Sequence, residues 1–310
     1  MAKAARSQVA IGLLIMYIAW GTTWVGIAYT VETMPPLIAM GLRFLTATSI
    51  ILLFISARNG FAAIKITKSQ VRTAVILGVF MLAAGMGTAT TGTKVVPIGV
   101  GSLVVASMPI WIALFRFIHK DRPSKQTLIG LFFGFIGIGL IMLPGQTAPR
   151  PGAEGQNVLL WMLVIMAGSI SWGYTSYRSK NMDTPANAFL LSAYEMLFAG
   201  ITLLTVGLVS GESVNQFVNA SATSFGGWIY LIIVGSLLGF STYVWLLDHA
   251  PISLVSTYTY VNPIVAIALG ILIFNERLTT NVLIGGLIVL VAVAIVIRTE
   301  SRNIEPAERV

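Results

Sequence analysis

The 310-residue chain has no cysteine, two histidines and only 10% charged residues. Without cysteine there is no disulfide framework, no thiolate metal site and no cysteine nucleophile. His119 and His249 stand far apart, and no His-Glu-x-x-His, Gly-x-Ser-x-Gly or phosphate-binding glycine loop occurs. No metal, cofactor or catalytic residue is therefore expected, and the chain does not read as an enzyme. A water-facing domain carries about 25% charged residues, and greater length does not remove the need to cover a surface. The 19 Lys and Arg residues exceed the 11 Asp and Glu. They lie between apolar segments instead of forming the basic face that nucleic acid requires. Soluble and nucleic-acid-binding classes are set aside.

What is abundant is apolar length: 56% of residues are hydrophobic and the mean hydropathy is +0.87. About 20 apolar residues cross a bilayer as a helix. Ten such runs can be drawn, at 9–29, 36–57, 71–92, 98–118, 127–144, 158–178, 186–209, 225–247, 252–274 and 281–298. With the N-terminus inside, fifteen basic residues fall in cytoplasmic segments, among them Arg58, Lys65, Lys68, Arg72, Lys120, Arg122, Lys180 and the terminal Lys3 and Arg309. Only Lys94, Arg150 and Arg277 fall outside. That bias predicts a multi-pass protein of the inner (plasma) membrane with both termini cytoplasmic.

The second half echoes the first at an offset of 152 to 155 residues. Trp20-Gly21-Thr22-Thr23 answers Trp172-Gly173-Tyr174-Thr175, and Arg43-Phe44-Leu45-Thr46-Ala47 answers Glu195-Met196-Leu197-Phe198-Ala199. Gly85 and Thr88 match Gly239 and Thr242, and Pro97 and Pro109 match Pro251 and Pro263. The stretch from Asp121-Arg122-Pro123-Ser124 to Gly130 parallels Glu276 to Gly285. Matches in one order at one offset signal a duplication. Five spans per copy is an odd number, so the second copy enters the membrane inverted, as in secondary transporters. The expected fold is all-α: ten transmembrane helices as two inverted five-helix repeats around a central cavity. Residues 1–145 form the first repeat, 146–157 an outer loop, 158–300 the second repeat and 301–310 a cytoplasmic tail.

The Trp20–Trp24 run, Pro36 followed by Arg43-Phe44, Val96-Pro97 to Met108-Pro109, Asp121 to Ser124 and Tyr260-Val261-Asn262-Pro263 resemble the EamA family of the drug/metabolite transporter superfamily. The resemblance spans nearly all of residues 9–298, although Asp121-Arg122 departs from the family's usual Gly-Glu-Arg. It implies a carrier, typically an exporter of amino acids or other small metabolites, with aromatic amino acids among the solutes of similar bacterial members.

The residues themselves suggest where a solute would sit. Tyr17, Trp20 and Trp24 share one face of span 1, and Trp172 occupies the matching place in span 6. Ser107 and Trp111 in span 4, and Tyr258, Tyr260 and Asn262 in span 9, add rings and polar groups. Together these suit an amphipathic solute with an apolar body. Pro109 and Pro263 are candidate kinks that would make spans 4 and 9 paired walls. Trp161, Trp228 and Trp24 read as interfacial-belt residues, and Gly130/Gly134 and Gly235/Gly239 as helix-packing pairs.

Arg43 and Glu195 are the ionisable side chains deep within spans, where an isolated charge is costly. Functionally, Glu195 would serve a proton or amine and Arg43 a substrate carboxylate. Structurally, the two would lock helices as an ion pair, which favours uniport or exchange over proton drive. A passive channel and an intramembrane enzyme are the alternatives. Neither a carboxylate ring or filter loop nor a paired nucleophile and base is visible for them. The partners expected are a small-molecule substrate and the lipid bilayer, with the chain as a monomer.

Overall fold

The computed structural model describes residues 6–119, 124–179, 181–250, 252–255 and 257–304. Asp121, Arg122 and Pro123 of the loop motif, Pro251 of the proline pairing, and Lys3, Lys120, Lys180 and Arg309 lie outside these residues. Among the described residues there is no strand. The helices are α1 (Arg6–Thr33), α2 (Pro36–Asn59), α3 (Lys68–Gly92), α4 (Ile98–Ala106), α5 (Met108–Ile118), α6 (Lys125–Ile141), α7 (Val158–Ser179) and α8 (Ala188–Val209). Then follow α9, built from Ala222–Tyr230, the π-helical Leu231–Leu238 and Gly239–His249, α10 (Tyr258–Phe274) and α11 (Thr280–Ile304).

Local chemistry sets the helix ends. Pro36 opens α2 at a position where no backbone donor is needed. Thr67 and Gln70 form a reciprocal capping box at α3. Ser124, Asn187 and Ser221 each accept from a first-turn N–H of α6, α8 and α9. Asn275 closes α10 in the left-handed conformation (φ 52°), which asparagine tolerates better than most side chains.

Among the described residues eight helices, with α4 and α5 taken together as one, are long and apolar enough to cross a membrane, while α6 and α10 are shorter apolar helices. The ten drawn runs thus meet eight helices of full length. Each short helix has 17 residues, about 25 Å at 1.5 Å per residue against an apolar layer of about 30 Å. The run drawn to residue 144 stops at Ile141 because Pro144 disfavours helix at the residue before it, and Gly145 has φ 77°. The run drawn from 252 is broken: a short helix, Ile252–Val255, precedes α10. Span 4 is broken too, at Ser107 between α4 and α5, with Pro109 in the first turn of α5. Pro263, by contrast, lies inside a continuous α10, so the two prolines do not mark equivalent breaks.

The bundle exposes Leu53, Phe54, Phe132, Phe133, Leu272 and Leu287 on its outer faces. Apolar surface on that scale is what lipid, not water, covers. Inside, α2 packs along α8 and α6 along α11. Glycines permit both crossings: a Cβ on Gly41 would lie 2.8 Å from Leu204 N, and one on Gly137 would lie 2.8 Å from Gly285 O. Helix α1 packs on α9 and α10, and α7 packs on α3, α4 and α5. Both α3 and α9 carry a π-helical segment, Leu77–Ala83 and Leu231–Leu238.

Two carboxylates tie the loops on one end of the bundle to helix starts. Glu212 accepts from Leu37 N (3.0 Å) and Ile38 N (2.8 Å), and Glu276 accepts from Ile98 N (2.6 Å) and Gly99 N (3.0 Å). Negative charge at helix N-termini is favourable. Burial lifts the Glu276 carboxyl above its usual range, while the two N–H groups and Arg150 pull it back.

Candidate functional site

The two π-helical segments organise the interior. A π turn carries an extra residue and disturbs the regular hydrogen-bond ladder. In each segment a backbone carbonyl takes a side-chain donor from the neighbouring helix: Gly235 O accepts from Trp20 Nε1 (3.2 Å), and Phe80 O accepts from Ser171 Oγ. Each segment also leads to a glycine against which a tryptophan lies. A Cβ on Gly239 would sit 2.5 Å from Trp20 Nε1, and one on Gly85 would collide with the Trp172 ring. The tryptophan of each half is therefore seated on the other half's sequence-matched side of the bundle, α1 on α9 and α7 on α3.

Around Trp20 the rings close into a triad. Trp20 stands 5.2 Å from Tyr243 and 4.9 Å from Tyr258, and the two tyrosines are 6.0 Å apart, with edge-to-face geometry at both Tyr258 contacts. The Tyr17 hydroxyl hydrogen-bonds Thr257 Oγ1 just below.

Arg43 and Glu195 lie near this cluster: Gly235, whose carbonyl takes the Trp20 bond, also lies against Arg43. Arg43 is 4% exposed and Glu195 9%. Arg43 Nε donates to Ser236 Oγ (3.1 Å) in the π segment, and Nη1 donates to Met40 Sδ (3.4 Å). Its Cζ lies 5.2 Å from the Phe44 ring centroid. Nη2 would be 2.8 Å from a Cβ on Gly235, so that end of the guanidinium rests against the bare backbone. Glu195 lies within electrostatic reach of Tyr243. Among the described residues the two charges form no ion pair with each other or with any other group. The expected helix-locking pair does not form: Arg43 turns toward the π segment of α9 and is bonded there to Ser236.

A family search gives these features a setting. The EamA-like transporter family matches residues 8–143 and 159–298. The chain belongs to this family. YedA, an uncharacterized inner membrane transporter of Escherichia coli K12, is 30% identical over 301 residues, covering 96% of this chain and 92% of YedA. The uncharacterized transporter YoaV of Bacillus subtilis is 24% identical over 286 residues, covering 91% and 94%. A solved structure described as "Crystal structure of protein" superposes with a TM-score of 0.61 at 18% identity, covering 96% of this chain and 99% of the other. That last likeness shows the fold. The protein is a multi-pass membrane transporter of the EamA family.

Within this EamA protein the sequence candidates divide into two groups. Tyr17, Trp20 and Tyr258 come together with Tyr243 in one buried cluster around Met16 and Leu246. Trp111 and Tyr260 pack against a different cluster, centred on α4, α6, α7 and α11. Trp111 is hydrogen-bonded to Ser107 Oγ (3.0 Å) and lies edge-on to Phe135, and Trp172 sits beside α3 as described. Tyr258 and Tyr260, two residues apart on a helix, point in different directions, yet Tyr260 shares Thr257 and Tyr17 with the first group. Asn262 Oδ1 is buried with no hydrogen-bond partner, a position where a polar solute group would be welcome.

Two readings from the sequence change, those of Trp24 and of the Gly235/Gly239 pair, and Trp228 gains a specific contact. Trp24 is 8% exposed and packs against Gly101 within the core, so it is not a belt residue. Trp228 donates to Ala39 O (2.8 Å) and stacks edge-on with Phe217, tying α9 to α2. Gly235 and Gly239 seat Arg43 and Trp20 instead of a helix backbone. Ser236 was missed because a lone serine in an apolar run carries no signal, and the π segments that aim it are invisible in hydropathy.

Proposed function

We propose that the chain is a secondary exporter of small zwitterionic, amphipathic metabolites, aromatic or large neutral amino acids foremost, working by alternating access in the inner membrane. The observation that carries this is the pair of buried, opposite charges without an ion-pair partner, Arg43 and Glu195, near the Trp20–Tyr243–Tyr258 triad. Isolated charges at depth are costly unless function retains them. A guanidinium suits a carboxylate, a carboxylate suits an ammonium, and rings between them suit an apolar side chain. A free amino acid carries all three groups.

The architecture we assign is ten crossings, both termini cytoplasmic, with residues 158–300 an inverted copy of 1–145. Three features support it. The family matches two separate stretches of similar length. The two π segments lie 154 residues apart. The packing of α1 on α9 and α10 is mirrored by that of α7 on α3, α4 and α5.

The test is purified protein in liposomes with a panel of labelled metabolites. Saturable, counterflow-stimulated flux of a large neutral amino acid is expected. Flux that never saturates would favour a passive channel, and saturable flux restricted to uncharged solutes would remove Arg43 and Glu195 from the site.

A further inference from the structure

The two ends of the bundle are not packed alike. At the end carrying the 93–97 and 275–279 connections, Trp24, Ala28, Ala89, Ile98 and Ala266 form one buried cluster joining α1, α3, α4 and α10. The Trp24 ring lies on Gly101, where a Cβ would be 3.1 Å from Cζ3. At the other end α4 gives way to α5 at Ser107. Among the described residues α5 packs on α7, whereas α10 packs along α4. Offsets of 152 and 154 residues make Ser176 and Val255 the counterparts of Trp24 and Gly101. They do not repeat that contact: Ser176 Oγ donates to Met81 Sδ (3.4 Å), and Val255 packs with Leu13 and Met16. Among the described residues the loop end is therefore shut by a contact that the end carrying the N-terminus does not repeat.

One side chain bridges the shut end. Glu276 follows the left-handed cap of α10, and its carboxylate reaches across to the first two free N–H groups of α4. The backbone beneath is bare glycine: a Cβ on Gly270 would collide with the Glu276 carboxyl. Arg150, anchored by a bond from Nη1 to Thr93 O (2.9 Å) and lying 5.0 Å over the Phe274 ring, supplies positive charge beside it. The bridge thus joins the end of one broken wall to the start of the other.

Resting on the alternating-access reading, we infer that Glu276 is the latch of the gate at the loop end, and that its carboxylate must leave the α4 N-terminus before that end can open. Glu276 touches no solute and acts as a positioning residue: it sets which end is open. Losing charge-assisted bonds of this kind shifts a two-state balance by about tenfold or more.

The absence of native cysteine makes a direct test possible. Ala28→Cys, in the sealed cluster, reports opening of the loop end by its maleimide labelling rate in nanodiscs. Ser176→Cys with Val255→Cys reports closure of the opposite end by its disulfide-formation rate, which scales with the population of that state. Glu276→Gln should raise both rates about tenfold, and Gly270→Ala, which displaces the carboxyl sterically, should do the same if the first variant folds poorly. A rise in Ala28→Cys labelling alone would make Glu276 a local helix cap and overturn the latch, as would no change in either rate. If Ala28→Cys labelling is unaffected by saturating phenylalanine in the parent and in every variant while phenylalanine flux persists, alternating access itself is refuted.

Discussion

Replacing Arg43 by methionine tests the charge reading through the size of a stability change. Methionine is unbranched, of similar reach and uncharged, so it can lie against Gly235 where Nη2 now lies. Holding an arginine at the centre of a membrane helix costs about 2.5–3.5 kcal/mol. The substitution removes that cost and forfeits the bond to Ser236, worth about 1.5–3 kcal/mol for a charged donor, and the contact with the Phe44 ring, worth about 0.5–1 kcal/mol. The terms nearly cancel, so Tm should shift by less than the roughly 2–4 °C that 1 kcal/mol produces. If Arg43 were instead half of a buried ion pair, its loss would strand the partner and destabilise by about 3–5 kcal/mol. The two accounts differ by several kcal/mol. Transport should fall: losing the anchor for a desolvated carboxylate costs about 2–3 kcal/mol, a drop of roughly 30- to 150-fold in uptake efficiency. Thermal unfolding in detergent, paired with liposome flux, reads both. A Tm lowered by several degrees would refute the argument, whatever happened to flux.

Glu195→Gln keeps the side-chain shape and removes its charge, so flux of phenylalanine should fall at least tenfold while flux of 3-phenylpropionate, which lacks the amine, is spared; equal losses for both would deny Glu195 an amine role. Trp20→Ala should change substrate affinity or spectrum in a protein that still folds. Trp228→Ala should lower thermal stability by about 3–5 kcal/mol, because it empties a packed position and removes the bond to Ala39. Equal transport losses at stable fold would erase that distinction. Gly137→Val places a branched side chain against the backbone of α11, where Gly285 O and Val289 N lie 2.8 and 3.0 Å from the first added carbon. A loss of about 1–3 kcal/mol or more is expected, and an unchanged Tm would mean that α6 and α11 do not cross there as described.

Composition and periodicity were enough to establish a polytopic membrane protein, because hydrophobic length and basic-residue bias act through the bilayer and need no tertiary contact. The internal echo, with Trp20 matched to Trp172 and Arg43 to Glu195, was also legible, since duplication leaves its mark residue by residue. Tertiary structure decided what those residues touch. Whether Arg43 meets Glu195 depends on the azimuth of two packed helices, which a linear pattern does not encode. The π segments in α3 and α9, which lead to Gly85 and Gly239 beneath the tryptophans, are the sum of small packing preferences; Gly78 and Gly235 lie within them, but in a chain with 30 glycines they do not mark them. Trp24 looked like a belt residue by depth and became a core residue through its neighbour Gly101. Glu276, an ordinary loop carboxylate in one dimension, gained its role only where the end of α10 was folded back onto the start of α4. Hydropathy acts on each residue through the solvent around it, whereas these contacts are made between residues more than seventy positions apart.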